Sequence, residues 1–165
     1  PETNPKYSSL SLWDGRRKGM VINMNQIPKD NVLVCVTDQL SCERLIRTGA
    51  AIAKKQGIPV QVVSVLPEGF VSANTASVLQ NLYDTANGLG AEMTFYFNSD
   101  AALTVTVHAK KSGAVHIVSG TPGADSSFFI ETIKNLLPDL PITIVDADSR
   151  LFTFPAVPAR LQSAI

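Results

Sequence analysis

The sequence predicts an α/β fold: a three-layer, doubly wound sheet of about five parallel strands, with helices on both faces. Short apolar runs alternate along the chain with longer segments that have helical periodicity. Clusters of glycine, proline and asparagine separate these segments, as turns require. With 165 residues, 45% of them apolar, the chain is long enough to bury one core of this kind.

The strand and helix segments follow one another in strict alternation. The first strand, VLVCV, is continuously apolar, as a strand buried on both faces requires. Ser41 is expected to cap the first helix and Gly57 to end it, while Asp100 is expected to cap the third helix. The third helix contains the β-branched stretch Thr104–Val107, whose residues favour a strand. Strands are expected at 32–36, 60–66, 93–97, 114–119 and 142–145, and helices at about 41–56, 78–89, 100–112 and 127–136.

Three parts of the chain differ in composition. Residues 1–30 are interrupted by prolines and by the turn Asp14-Gly15, so we expect an extension that is partly disordered or docked through Leu10, Leu12 and Trp13. Residues 31–146 carry the regular pattern and form the α/β domain. Residues 147–165 are expected to be a tail that packs on the domain or on a dimer partner.

Charge and cysteine content exclude several classes of function. Fourteen basic residues balance fourteen acidic ones, so bulk charge favours neither nucleic acid nor an anionic membrane as a partner. No apolar run approaches the length of a membrane span or of a signal-peptide core. Cys35 and Cys42 are too close in sequence to suggest a disulfide framework and too few for a metal site. A reducing cytoplasm is therefore the expected location.

Three stretches resemble a known family in order and spacing. They are VLVCV with ERLIR at 32–36 and 43–47, AKKSGAVHIVSG at 109–120, and IETIKNLLPDLPITIV at 130–145. Across residues 31–146 they resemble the universal stress protein family (UspA-like), most of all its version in KdpD-type sensor kinases. The resemblance implies an adenine-nucleotide α-hydrolase-like fold and a role in the stress response.

The resemblance also points to a phosphate loop after the fourth strand. In nucleotide-binding members this loop reads Gly, two residues, Gly, nine residues, then Gly-Ser or Gly-Thr. Here Gly120, Thr121 and Gly123 match the first half, but only residues 124–126 precede the Ser127-Phe128 pair that replaces the second half. Asp125 adds a negative charge where phosphates would lie. Binding of ATP in the manner usual for the family is therefore expected to be lost.

The loop after the first strand departs from the family pattern as well. ATP-binding members have an aspartate directly after this strand, where this chain has Thr37, and Asp38 follows one residue later. In the alternative that an adenine nucleotide binds, it would lie in the cleft between the 37–41 and 120–127 loops, because ligands of such sheets bind at the carboxyl ends of the strands. The candidate binding residues are Thr37, Asp38, Gly120, Thr121, Gly123, Ser126 and Ser127. No cofactor is expected, with ATP or AMP as the open alternative.

Other patterns favour structural over chemical roles. The residues from Ser119 to Ser127 resemble the SGGxDS loop of ATP pyrophosphatases, but that loop belongs after a first strand. Cys42 is expected to be a small buried side chain rather than a reactive thiol. His108 and His116 have no partner spacing that would indicate a catalytic triad, and we expect no catalytic or metal-binding residues.

Three functional hypotheses remain. The first is a non-catalytic regulatory domain that acts through a protein partner or as a homodimer, joined at the last strand from Pro141 to Asp146, because an exposed strand edge needs a partner or a cover. The second is an adenine-nucleotide sensor, and the third is a nucleotide hydrolase. Because no positioned acid–base pair is visible, the hydrolase is the weakest of the three.

Overall fold

The computed structural model describes residues 29–123 and 127–158 as an α/β domain. A single sheet of six strands runs in the order β3-β2-β1-β4-β5-β6. The strands are β1 (Asn31–Val36), β2 (Val60–Leu66), β3 (Glu92–Phe97), β4 (Ala114–Gly120), β5 (Ile142–Val145) and β6 (Leu151–Phe154). The helices are α1 (Glu43–Gln56), α2 (Ala73–Gly88), α3 (Ala101–Ser112) and α4 (Ser127–Leu136). The predicted doubly wound fold is confirmed.

The first five strands are parallel, and β6 is antiparallel to β5. β6 lies in the segment that the sequence predicts to be a tail. It is held in place by a tight turn, in which the carboxylate of Asp146 accepts hydrogen bonds from the Arg150 backbone and side chain at 2.8 Å each. Because β6 pairs with the whole of β5, the exposed edge on this side belongs to β6 rather than to the predicted edge strand.

Two apolar clusters flank the sheet, one on each face. On the first face, α1 and α2 pack on Val32, Val34 and Val62. On the second face, α3 and α4 pack on Leu33, Val63 and Ile117. From β1 the chain adds β2 and β3 on one side, and after β3 it crosses back to add β4 and β5 on the other, so the topological switch point lies between β1 and β4.

Helix ends follow the predicted residues with two corrections, at Ser41 and at the start of α2, which begins at Ala73 after the Ser72 cap rather than at about 78. Gly57 ends α1 in the left-handed conformation at φ 70°, and Asp100 caps α3 by accepting a hydrogen bond from the Leu103 backbone at 3.0 Å. Ser41 does not cap α1: it lies in a 3-10 turn at Leu40–Cys42, and the helix begins after Cys42 without a side-chain cap. The β-branched stretch of α3 is helical: Asp100 caps its start, and the Thr106 hydroxyl is satisfied by donating to the Ala102 carbonyl at 2.8 Å.

The described helices include none long and apolar enough to cross a membrane. The expected cytoplasmic location, like the division of the chain at residues 30 and 146, stays a prediction. Residues 1–28 and 159–165 lie outside the described residues, and so does the expectation that Leu10, Leu12 and Trp13 dock on the domain.

Candidate functional site

A cavity of about 920 Å³ opens at the carboxyl ends of the strands, across the switch point between β1 and β4. It lies in the size range of pockets that bind small molecules. The lining comes from the ends of β1, β2 and β4 and from the first turns of α1, α3 and α4. Its position is the one that the parallel topology assigns to a ligand.

The walls of the cavity are mainly apolar. Val63 and Val65 of β2 form one part of the wall, and Val105 of α3 and Phe129 of α4 form another. The polar side chains at the cavity include Thr37, Gln39, Ser41, Ser99, Thr121 and Thr132. Among the described residues, the charged side chains that line it are one cation, Arg44, and one anion, Asp100.

Arg44 is fixed at the cavity wall by two backbone carbonyls. Its Nε donates to the Asp146 carbonyl at 2.9 Å, and its Nη1 donates to the Ser41 carbonyl at 2.6 Å. Within the described ranges, no carboxylate forms an ion pair with its guanidinium, whereas the neighbouring Arg47 pairs with Glu43 at 3.6 Å. Arg44 therefore presents an oriented positive charge that these residues do not neutralise, which suits it to an anionic ligand.

The loop after β1 carries two residues that the sequence assigns to the site, and only one of them lines the cavity. Thr37 lines the cavity, and its backbone N–H donates to the Cys42 sulfur at 3.5 Å. Asp38 is not among the lining residues. Its Oδ2 instead accepts a hydrogen bond from the Thr75 hydroxyl at 3.0 Å, so this carboxylate ties the β1–α1 loop to the start of α2.

The loop after β4 brings its predicted glycines to the cavity. Gly120, Thr121 and Gly123 all line it. Ser126 lies outside the described residues; Ser127 begins α4, but its side chain is likewise outside them. Phe128, which is 75% exposed, and the half-buried Phe129 form the rim that follows. The second half of the loop therefore presents aromatic rings to the cavity.

Arg44 and Asp100 are the two residues that sequence reasoning missed as site residues. The charge pattern of α1 places Arg44 on a solvated face, and Asp100 reads simply as a helix cap. One signal was available for both: each lies within the first turn that follows a parallel strand and its loop, and such turns meet at one edge of the sheet.

The two histidines lie away from the cavity, in structural hydrogen-bond networks. His108 is 2.9 Å from the Tyr96 hydroxyl through Nδ1 and 3.1 Å from the Gln61 side-chain oxygen through Nε2. His116 is 2.8 Å from the Thr143 hydroxyl. Burial lowers the pKa of both imidazoles, and the Glu92 carboxylate partly opposes this for His108. The described residues contain no cluster that could hold a metal ion.

Solved structures of low sequence identity share this architecture. A universal stress protein from Archaeoglobus fulgidus superposes with a TM-score of 0.56 at 20% identity, over 71% of this chain and 93% of that one. The universal stress protein from Archaeoglobus fulgidus in complex with dAMP gives a TM-score of 0.53 at 21% identity, over 72% and 98% of the two chains. This chain has the universal stress protein fold.

A third universal stress protein, solved in complex with cAMP, matches with a TM-score of 0.55 at 16% identity, over 73% of this chain and 98% of that one. No family model matches the chain, and no curated protein matches it. Identities this low establish the universal stress protein fold alone. The particular likeness to KdpD-type domains and the expected role in the stress response stay predictions.

Proposed function

We propose that this domain is a non-catalytic sensor that binds an adenine nucleotide with a single phosphate, of the AMP class, in the cavity at the switch point. The observation that carries the proposal is the combination of a large, mainly apolar cavity with one oriented guanidinium at its wall. A nucleoside monophosphate has this composition: an apolar ring system at one end and one anionic group at the other. The dAMP and cAMP complexes of universal stress proteins support the same class of ligand.

A triphosphate fits the described lining less well. ATP carries a chain of negative charges, whereas Arg44 is the one described cation at the cavity and Asp100 opposes it with a negative charge. The side of the cavity that would hold distal phosphates is lined by Phe128 and Phe129, and Phe128 stands where the family pattern has a hydroxyl. We therefore expect AMP to bind more tightly than ATP. This preference agrees with the prediction that the usual ATP site of the family is lost.

Arg44 provides the test of the proposal. A hydrogen bond to a charged group contributes about 1.5–3 kcal/mol, so Arg44→Gln should weaken AMP binding by about tenfold or more. Arg47→Gln is the matched control, because Arg47 lies one turn along α1 and pairs with Glu43 outside the cavity. Isothermal titration calorimetry measures both, with thermal unfolding of each variant to verify the fold. No AMP binding by the wild-type chain, or equal losses in both variants, would refute the proposal.

We also propose that nucleotide binding proceeds without hydrolysis. Besides Arg44 and Asp100, the titratable side chains of the described lining are the two buried thiols, Cys35 and Cys42. Burial raises the pKa of Cys35 to about 12, so its thiol is neither acid nor base near neutral pH. ATP and AMP are expected to be recovered unchanged after prolonged incubation with the protein. Turnover that Asp100→Asn or Asp125→Ala abolishes would instead support the hydrolase hypothesis.

A second proposed function, self-association, rests on the edge of the sheet. All four residues of β6 are exposed, and they include Leu151 at 51%, Phe152 at 54% and Phe154 at 40%. The sequence predicts a homodimer joined at Pro141–Asp146, but β6 covers that strand. An exposed apolar edge strand is a template for pairing with another chain, so we propose that the homodimer forms through β6 instead. Light scattering after size exclusion should give a dimer for the wild-type chain and a monomer for Phe152→Lys. A monomeric wild-type chain would exclude the dimer.

A further inference from the structure

We propose that Asp100 determines the base specificity of the cavity by accepting a hydrogen bond from the exocyclic amino group of an adenine ring. This inference rests on the proposed function and goes one step further, because it names the residue that distinguishes one purine from another. Asp100 follows β3 and begins α3, so both the sheet and a helix fix its position.

The carboxylate of Asp100 has one oxygen committed to the helix and one oxygen open. Its Oδ1 accepts the Leu103 backbone N–H at 3.0 Å, which fixes the rotamer of the side chain. Among the described residues, no group donates a hydrogen bond to its Oδ2, and Asp100, an exposed residue, is one of those that line the cavity. An ionised carboxylate can only accept hydrogen bonds, so Oδ2 selects a ligand group that carries N–H or O–H.

The position of Asp100 fits the base rather than the phosphate of a mononucleotide. Arg44 is held at the end of β5 by its hydrogen bond to the Asp146 carbonyl. The apolar wall of the cavity includes Val63 and Val65 of β2. β2 and β5 are three strand positions apart, on the order of 14 Å at the usual spacing between neighbouring strands. The cavity thus has a cationic end and an apolar end, and Asp100 contributes its carboxylate from the start of α3.

The single open oxygen favours adenine over guanine. Guanine presents two adjacent donors, N1–H and N2–H, which pair best with both oxygens of a carboxylate. Here Leu103 already uses one oxygen, so a ligand with a single donor on its pairing edge, the N6 amino group of adenine, is the better match. Apolar side chains beside Asp100, such as Val105 and Ala102, would contact the faces of the ring.

The experiment compares AMP with purine riboside 5′-monophosphate, which has a hydrogen atom in place of the amino group. The wild-type chain should bind AMP about tenfold more tightly, because only AMP donates a hydrogen bond to the charged carboxylate. Asp100→Ser keeps an oxygen that can cap α3 but removes the carboxylate, so the two ligands should then bind with similar affinity. Asp139→Ser is the matched control, because Asp139 is not a lining residue and the tenfold difference should remain.

The outcomes separate this inference from the proposed function. If the wild-type chain does not bind AMP, the proposed function fails. If AMP and the analogue bind the wild-type chain equally, or if the tenfold difference survives Asp100→Ser, the assignment of Asp100 is overturned while nucleotide binding stands. Tighter binding of GMP than of AMP would overturn the adenine assignment. Retention of cooperative unfolding in Asp100→Ser shows that a changed preference does not come from loss of α3.

Discussion

Gly49→Ala tests the packing that holds α1, and with it Arg44, at the cavity. Gly49 is buried in the middle of α1, directly over β1. A Cβ atom at this position would overlap the Val34 Cγ2 methyl group, which lies in the central strand and is itself fully buried. Neither residue can move freely, because Gly49 belongs to a helix and Val34 to a strand that is paired on both edges.

The magnitude of the effect follows from two opposing contributions. Overpacking of a well-packed core costs about 1–3 kcal/mol. Replacing glycine by alanine inside a helix returns about 1 kcal/mol. Gly49→Ala should therefore lower the free energy of unfolding by up to about 2 kcal/mol. With a urea m-value of about 2 kcal/mol/M, the unfolding midpoint would fall by up to about 1 M.

Gly88→Ala is the matched control, because Gly88 is also helical and a Cβ there would meet nothing within 4 Å. This variant should be neutral or more stable than the wild type. Val34→Ala removes the methyl group that Gly49→Ala would strike, so in the Val34→Ala background the Gly49→Ala change should cost nothing further. Equal urea midpoints for Gly49→Ala and Gly88→Ala would refute the close contact between α1 and β1.

Three further outcomes are expected. Asp38→Ala should leave AMP affinity unchanged in calorimetry, since Asp38 bonds Thr75 instead of lining the cavity. A tenfold loss of affinity would show that Asp38 contacts the nucleotide. Burial raises the pKa of Cys35 to about 12, so this thiol should react with Ellman's reagent only after unfolding, and fast native labelling would contradict its burial. Burial lowers the pKa of His108 and His116, so the unfolded state binds more protons and stability should fall as pH drops below about 6.5. Replacing both histidines by glutamine should flatten this dependence in urea titrations at pH 7.5 and 5, and an unchanged slope would contradict it.

The core of the fold could be predicted from the sequence because local patterns decide it. The strands β2 and β5 and the helix α4 have the predicted bounds, since apolar runs and turn residues mark them directly. β6 could not be predicted in this way. It has four residues, and its pairing depends on the turn in which the Asp146 carboxylate bonds the backbone and the side chain of Arg150, and no periodic pattern in the sequence marks such contacts.

The site was only partly predictable, for a related reason. Thr37 and the Gly120–Gly123 loop could be named because glycine and loop position carry a local signal. The orientation of the Asp38 side chain depends on its hydrogen bond with Thr75, which is distant in sequence. Arg44 lines the cavity only because the Asp146 carbonyl, across the sheet end, holds its guanidinium there. Such roles follow from tertiary contacts that the sequence pattern of α1 does not contain.

Nucleotide binding in the cavity at the switch point is the central claim, and nuclear magnetic resonance tests it most directly. Titration of AMP into the ¹⁵N-labelled chain should shift the backbone signals of the cavity segments, at 37–45, 99–105 and 120–123. Signals of the opposite end of the sheet, such as Gly57 and Gly113, should not move. Shifts confined to other segments, or no shifts at millimolar AMP, would contradict the claim.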